Sequence, residues 1–445
     1  MSGFRIGGVA VLLRPLPTTP SYRASRDGAL SEGGRFCSPG ALHDGTIQKL
    51  FSQARGLSAM GYIKEHWGYL TGAAAYPGVD CLRALAVALV VLYHFHLFPV
   101  GWIGVDIFFV LSGFLIGGII LDKTTSGRFD FVEFYKKRAL RILPIYYFIM
   151  LLCFVLKAGG VFDFIAVKSM LSGMLFLQTT GPYFFPGYFN INEAYIPGGS
   201  WSLVIEEMFY LIAPLVIVLV SYLSGKKPWP MLVVLVVAYL SGIAVRAAMT
   251  SGFAPDDSSW YFASFIQFHS RYDELAVGVL AAAYLRFTRD VRSQSAWWIS
   301  AAIILSFLFL VYIYGKPEFL AKPFLITRDT LWLPTLLGAI GACFVLGAYW
   351  MPLQVKPIVL LARLSYPLYL VHILFLEITN RYIGGGLLKW LADTFTEHGL
   401  SIIRIAICVF LSYLVSLLVE YPFIRMYKRK DNKRVSKEGM EVAPV

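Results

Sequence analysis

Ten long apolar runs, at about 84–98, 102–121, 142–157, 201–223, 229–248, 272–287, 297–314, 331–349, 358–377 and 401–423, constrain this chain more than anything else in it. Crossing about 30 Å of hydrocarbon at 1.5 Å per residue takes roughly 20 apolar residues, and each run is near that length, the first and third being short. In lipid every backbone donor and acceptor must be paired within the segment, so runs of this kind become helices packed side by side. The expected fold is all-α, a polytopic membrane helical bundle. Composition agrees: of 445 residues, 57% are hydrophobic and 15% charged, with a mean hydropathy of +0.64. A soluble globular chain does not look like this.

Loop charge orients the runs. The segment 122–141 holds Lys123, Arg128, Lys136, Lys137, Arg138 and Arg141; Lys226 and Lys227 follow the fourth run, and Arg286, Arg289 and Arg292 the sixth. The tail adds Lys428, Arg429, Lys430, Lys433 and Arg434. The positive-inside rule puts all of these in the cytoplasm. They agree only if an eleventh run, 165–178, does not cross. The expectation is ten crossings of the cell inner (plasma) membrane, one re-entrant or interfacial segment, and both termini in the cytoplasm. The stretch 179–200 then lies outside, and it contains no Lys or Arg.

The net charge of +12 sits largely beside apolar runs and in the tail, where it sets orientation and meets anionic lipid, so nucleic acid is not an expected partner. Cys37, Cys81, Cys153, Cys343 and Cys408 are scattered without a CxxC pair, which indicates neither a disulfide framework nor a metal site. Residues 1–75 form an N-terminal extension, largely disordered or partly interfacial. Its apolar run Gly7–Leu13 is too short to span and lacks a signal-peptide cleavage pattern. A start codon placed too early is a second reading, since Met60 opens a sequence leading through Trp67 into the first run.

Titratable side chains inside hydrocarbon cost several kcal/mol and are functional candidates by default. Arg83 and His94, with ten residues between them, fall on one helix face roughly 16 Å apart. An imidazole so placed can act as general base toward a hydroxyl; a snorkelling arginine and a satisfied interhelical histidine explain the spacing equally well. Asp106, one turn into the second run, either orients that histidine or caps a helix N-terminus. Arg138 and Arg141 are neighbours on a helix expected to stop near Pro144, and two guanidiniums at that distance grip phosphates; ordinary positive-inside anchoring is the structural alternative.

The run GSWSLVIEEMFYLIAPL sets Ser202, Glu206 and Tyr210 on one face, with Glu207 turned about 100° away. Glu206 is therefore the carboxylate expected in a wet cavity, holding Arg83 or an acceptor sugar. Of Arg271, Asp273, Glu274, Arg363, His372, Glu377, Glu420 and Arg425, many lie near run ends and read as interfacial or paired rather than catalytic. Tyr183, Phe184, Phe185, Tyr188 and Phe189 in the outer stretch suit stacking on sugar rings.

Together these elements resemble the acyltransferase-3 family of integral membrane enzymes that O-acylate cell-surface and secreted carbohydrates. The resemblance rests on Arg83 with His94, GWIGVDIFFVLSGFLI, RALRILP, WSLVIEEMFYLIAPL, RYDELAVGVLAA, LSYPLYLVH and VEYPFIR, in the family's order from about Pro77 to Arg425. It implies a membrane acyltransferase domain over 76–427, followed by a basic cytoplasmic tail, 428–445. It also implies cytoplasmic acyl-CoA, acetyl-CoA above all, as co-substrate without a metal, and a glycan or lipid-linked saccharide acceptor such as exopolysaccharide or lipopolysaccharide. Arg83, His94, Glu206 and Asp106 become the expected catalytic residues, and Arg138 and Arg141 the donor-binding ones. Some members carry an extracytoplasmic hydrolase-like domain; here the expectation is direct transfer or a separate extracytoplasmic transfer protein. The competing class is a proton-coupled transporter of a small substrate, since buried His, Arg and Glu also build proton relays.

Overall fold

The computed structural model describes residues 59–161, 167–180, 199–225, 227–252, 265–288, 291–315, 330–382, 390 and 394–428. Among these, every regular element is helical. The chain forms α1 (Ala59–Thr71), α2 (Pro77–His94), a 3₁₀ turn (Gly101–Ile103) leading into α3 (Gly104–Thr125), α4 (Phe131–Ala158) and α5 (Val167–Met174). It continues through α6 (Trp201–Leu223), α7 (Pro228–Thr250), α8 (Phe268–Phe287), α9 (Ser295–Tyr314) and α10 (Leu333–Ala348). The last elements are α11 (Lys356–Arg363), α12 (Ser365–Tyr382) and α13 (Glu397–Val415), the last passing through a π segment, Ser416–Glu420, and on to Lys428.

Every apolar run of the sequence has its helix. Among the described residues seven helices are long and apolar enough to cross a membrane, and the pair α11 and α12, bent by 66°, makes an eighth. The remaining two are special cases. α10 has only 16 residues, and α8 carries Arg271, Asp273, Glu274 and Arg286. Neither suits lipid alone, and both are walled in by neighbouring helices. The 165–178 run yields α5, whose 8 residues span about 12 Å and cannot cross. Tyr146 and Tyr147 of α4 hold it by hydroxyl hydrogen bonds to the carbonyls of Gly173 (2.6 Å) and Met174 (3.0 Å).

One expectation fails in α4. The sequence suggested a helix ending near Pro144, but α4 starts at an Asp130 cap, whose side chain accepts from the Glu133 amide, and runs unbroken through Pro144 to Ala158. A proline inside a membrane helix is tolerated when neighbours re-satisfy the backbone around it. The carbonyl that Pro144 leaves without an amide donor is that of Leu140, and beside it Tyr366 of α12 donates its hydroxyl to the carbonyl of Ile142 at 2.9 Å, tying α12 to the helix at the proline. The basic turn bearing Arg138 and Arg141 is thereby fused to a crossing helix.

At the centre, α3 and α8 touch backbone to backbone. A Cβ on Gly113 would collide with the Leu275 carbonyl, and one on Gly278 with the Val110 carbonyl. Glycine is the residue that permits this approach. It presses α8 against α3 with Arg271, Asp273 and Glu274 no more than 1% exposed. The bundle thus has two distinct ends. One gathers α1, the starts of α2 and α4, the α11–α12 joint and the end of α13; the other gathers the end of α2 and the starts of α3, α6 and α8.

Candidate active site

The first end holds a cavity of about 440 Å³. Among the described residues its wall carries Arg83, Lys137, Arg138, Arg141, Arg363 and Lys428, six cations, against one carboxylate, Asp80, with Glu133 behind Lys137 at 3.0 Å. Asp80 is shared: Arg83 donates to Oδ1 at 2.9 Å, and Arg363 Nε stands 3.8 Å from Oδ2. Arg138 Nε is buried with no hydrogen-bond partner among the described residues. Cations in such excess, with a donor left unsatisfied, suit a ligand bearing several negative charges. Arg83 also lies on the same helix as His94, as its spacing required.

Leu115 of α3 lines the cavity, and one turn toward the other end begins a column of polar side chains. Ser112 donates to Glu206 Oε1 at 2.9 Å and Tyr210 to Glu206 Oε2 at 3.1 Å. Two hydroxyl donors thus hold this carboxylate inside the bundle. One turn further along α6, Ser202 lies 2.6 Å from the hydroxyl of Tyr369, which donates to the Gly199 carbonyl at 2.8 Å. The hydrogen therefore passes from Ser202 to Tyr369. Next on α12 is the ring of His372, 5.7 Å from that of Tyr369 and 5.0 Å from that of His94.

The tautomers of this histidine pair follow from its acceptors. His94 Nδ1 is 2.8 Å from the Val90 carbonyl and His372 Nδ1 is 3.0 Å from the Leu368 carbonyl. A carbonyl only accepts, so both Nδ1 atoms carry hydrogen. His372 Nε2, 3.4 Å from His94 Nδ1, then offers a second, longer acceptor to the same N–H. His94 Nε2 keeps its lone pair, as a general base requires.

Asp106 is placed differently from the reading that set it beside the histidine. Its Oδ1 accepts Arg271 Nη2 at 2.6 Å, and Arg271 Nε is 3.3 Å from Glu274 Oε1. The same guanidinium lies over Phe265, Phe109 and Trp201 at 4.6, 5.4 and 5.8 Å. Asp106 braces α3 to α8, and the side chain that meets His94 is His372. The sequence groups His372 with residues that are interfacial or paired, and it is paired; no local pattern names its partner 278 positions away, which only the packing of α12 on α2 reveals. Tyr183, Phe184, Phe185, Tyr188 and Phe189 lie outside the described residues.

A helical membrane bundle with a cation-lined cavity at one end and an oriented histidine pair toward the other has the parts of a membrane acyltransferase. Residues 76–421 match the family model described as an acyltransferase domain, and the chain belongs to this acyltransferase-3 family. Among its relatives, O-acetyltransferase OatA of Staphylococcus aureus is 29% identical over 332 residues, 69% of this chain and 51% of the relative. Putative peptidoglycan O-acetyltransferase YrhL of Bacillus subtilis is 30% identical over 312 residues, 66% of this chain and 48% of the relative. The chain thus spans about half the length of these curated relatives. No solved structure matches it.

Proposed function

We propose that this enzyme moves an acetyl group from cytoplasmic acetyl-CoA to a hydroxyl of a cell-surface glycan. The observation that carries this reading is the series of polar side chains that lies between the cationic cavity and His94. The relatives named O-acetyltransferase and peptidoglycan O-acetyltransferase supply the acetyl group and the kind of acceptor. Peptidoglycan, exopolysaccharide and lipid-linked saccharides all offer such hydroxyls. The positive-inside rule puts the cavity in the cytoplasm, with both termini, and the histidine pair toward the outer side of the inner membrane.

In this reading Arg138, Arg141 and their neighbours hold the donor's phosphates, and its extended arm carries the thioester into the column. His94 Nε2 takes the proton of the acceptor hydroxyl as the oxygen attacks the thioester carbonyl. The C–O bond forms, the C–S bond breaks, and the thiolate leaves to be protonated as free coenzyme A. Glu206, fixed by Ser112 and Tyr210, sits between the donor's phosphates and the histidine and steadies the passage of the acyl group. The Val90 carbonyl fixes the tautomer of His94, and His372 Nε2 offers the same N–H a second acceptor. An outer-side acceptor that is a second protein, relaying the acetyl group onward, fits the same chemistry.

General-base catalysis contributes about 10²- to 10⁴-fold. Protein in liposomes given labelled acetyl-CoA and a glycan acceptor is expected to transfer label, and His94→Ala to lose transfer by that factor while still inserting in the membrane. Label that crosses the bilayer on an intact donor identifies a transporter instead, and unchanged transfer in His94→Ala removes the histidine from the mechanism.

A further inference from the structure

α1 precedes the residues that match the family, which begin at position 76, yet its last turn forms part of the cavity wall. Four contacts fasten it. Tyr62 donates its hydroxyl to the Leu417 carbonyl at 3.0 Å, and Glu65 pairs with Arg425 at 2.9 Å. His66 Nε2 lies 3.2 Å from Ser416 Oγ, which itself donates to Glu420 at 2.8 Å. Arg363 Nη1 donates to the Tyr69 carbonyl at 3.3 Å. Three of these land on the π segment of α13 or just beyond it. π segments inside helices often mark functional positions.

The outcome of this docking is the position of Tyr69. Its ring packs 5.4 Å from that of Tyr421, and it meets the Lys428 ammonium at 5.4 Å and the Arg363 guanidinium at 5.9 Å. Two of the cavity's six cations are therefore held by one aromatic ring. A carboxylate in that place would neutralise them. An aromatic face attracts a cation without cancelling its charge, and so leaves it available to an anion. It also limits the rotamers of a long lysine, so less freedom is lost when a phosphate arrives.

We infer that α1 is a working part of the donor site, and that Tyr69 is a positioning residue that sets Arg363 and Lys428 against the phosphates of a nucleotide-bearing thioester. The inference rests on the donor reading above. It adds that discrimination between a donor with a nucleotide and one without it is supplied from outside the catalytic domain.

The test uses the full chain in nanodiscs and follows thiol release from acetyl-CoA and from acetylpantetheine, which carries the same thioester but no nucleotide. Losing cation–π support is expected to raise the Tyr69→Ala KM for acetyl-CoA about 5- to 20-fold with kcat within about twofold, and to shrink the preference for acetyl-CoA by a similar factor. Tyr69→Phe keeps the ring and the backbone carbonyl and is expected to retain the preference. Lys428→Gln, on an exposed side chain, is expected to lose part of it and serves if the Tyr69 variants do not fold. A preference unchanged in Lys428→Gln and in any folded Tyr69→Ala, or a fall in kcat alone, overturns the role of α1. Wild-type protein that does not turn over acetyl-CoA overturns the donor reading instead.

Discussion

Two arginine sites in this bundle answer the same electrostatic problem in opposite ways. Arg246 of α7 is completely buried and has every donor occupied: it reaches the carbonyls of Leu331 and Ser270 at 2.7 Å, both oxygens of Asp273 at 2.9 and 3.0 Å, and the Thr335 hydroxyl. Around the cavity, six cations line a wall whose one carboxylate among the described residues, Asp80, pairs with Arg83 and Arg363, Lys137 pairs with Glu133 at 3.0 Å, and Arg138 Nε has no hydrogen-bond partner among the described residues. A buried charge must be matched or the fold is weakened. Where matching is complete the arginine is structural; where it is withheld, the cation is left able to meet a ligand's charge.

That contrast breaks most sharply at Asp273. Asp273→Ala strands Arg246 in the interior at a cost of about 3–5 kcal/mol, and the variant is expected to aggregate on detergent extraction, read by size exclusion. A monodisperse variant with an unchanged melting temperature would make Arg246 as dispensable to folding as the cavity arginines. Next in size, Arg138→Gln removes a charge that makes no ion pair within 4 Å among the described residues, its acidic neighbour Glu207 acting only at longer range. Losing one charge-assisted phosphate contact of about 1.5–3 kcal/mol predicts a donor KM raised roughly tenfold or more, with a melting temperature unchanged or higher. A lowered one would show that Arg138 is structural after all.

The smallest effect concerns α1, where burial lowers the His66 pKa from 6.5 to about 4. An unfolded or undocked His66 binds a proton more readily than the docked one, so docking is favoured above pH 6.5 and weakens as pH falls toward about 4. Amide hydrogen exchange over residues 59–71, corrected for its intrinsic pH dependence, is expected to quicken through that window in the wild type and to lose the trend in His66→Gln.

Much of this was legible in the sequence, and what was not has a common cause. Apolar run length gave a helix for each of the ten runs, seven of them, or eight with the bent pair, long and apolar enough among the described residues to cross, and loop charge excluded the 165–178 run before α5 proved too short. The four-residue repeat of Ser202, Glu206 and Tyr210 put them on one face, because helix periodicity is local. The helix through Pro144 escaped because the hydroxyl supporting it comes from Tyr366, far along the chain. Asp106 with Arg271, His94 with His372, and Tyr69 with Lys428 are partnerships between distant helices, and no spacing rule spans them. Tyr69 was further hidden by lying in the extension, outside every motif that carried the family resemblance.

The charges of α8 also bear on how the protein is made. Arg271 meets Asp106 and Asp273 meets Arg246, and both counter-ions precede α8 along the chain. When α8 leaves the ribosome, its partners have already been synthesised. A segment too polar to be inserted on hydropathy alone can be admitted as the last member of an assembly already waiting for it, so translation order itself helps this helix into the bilayer.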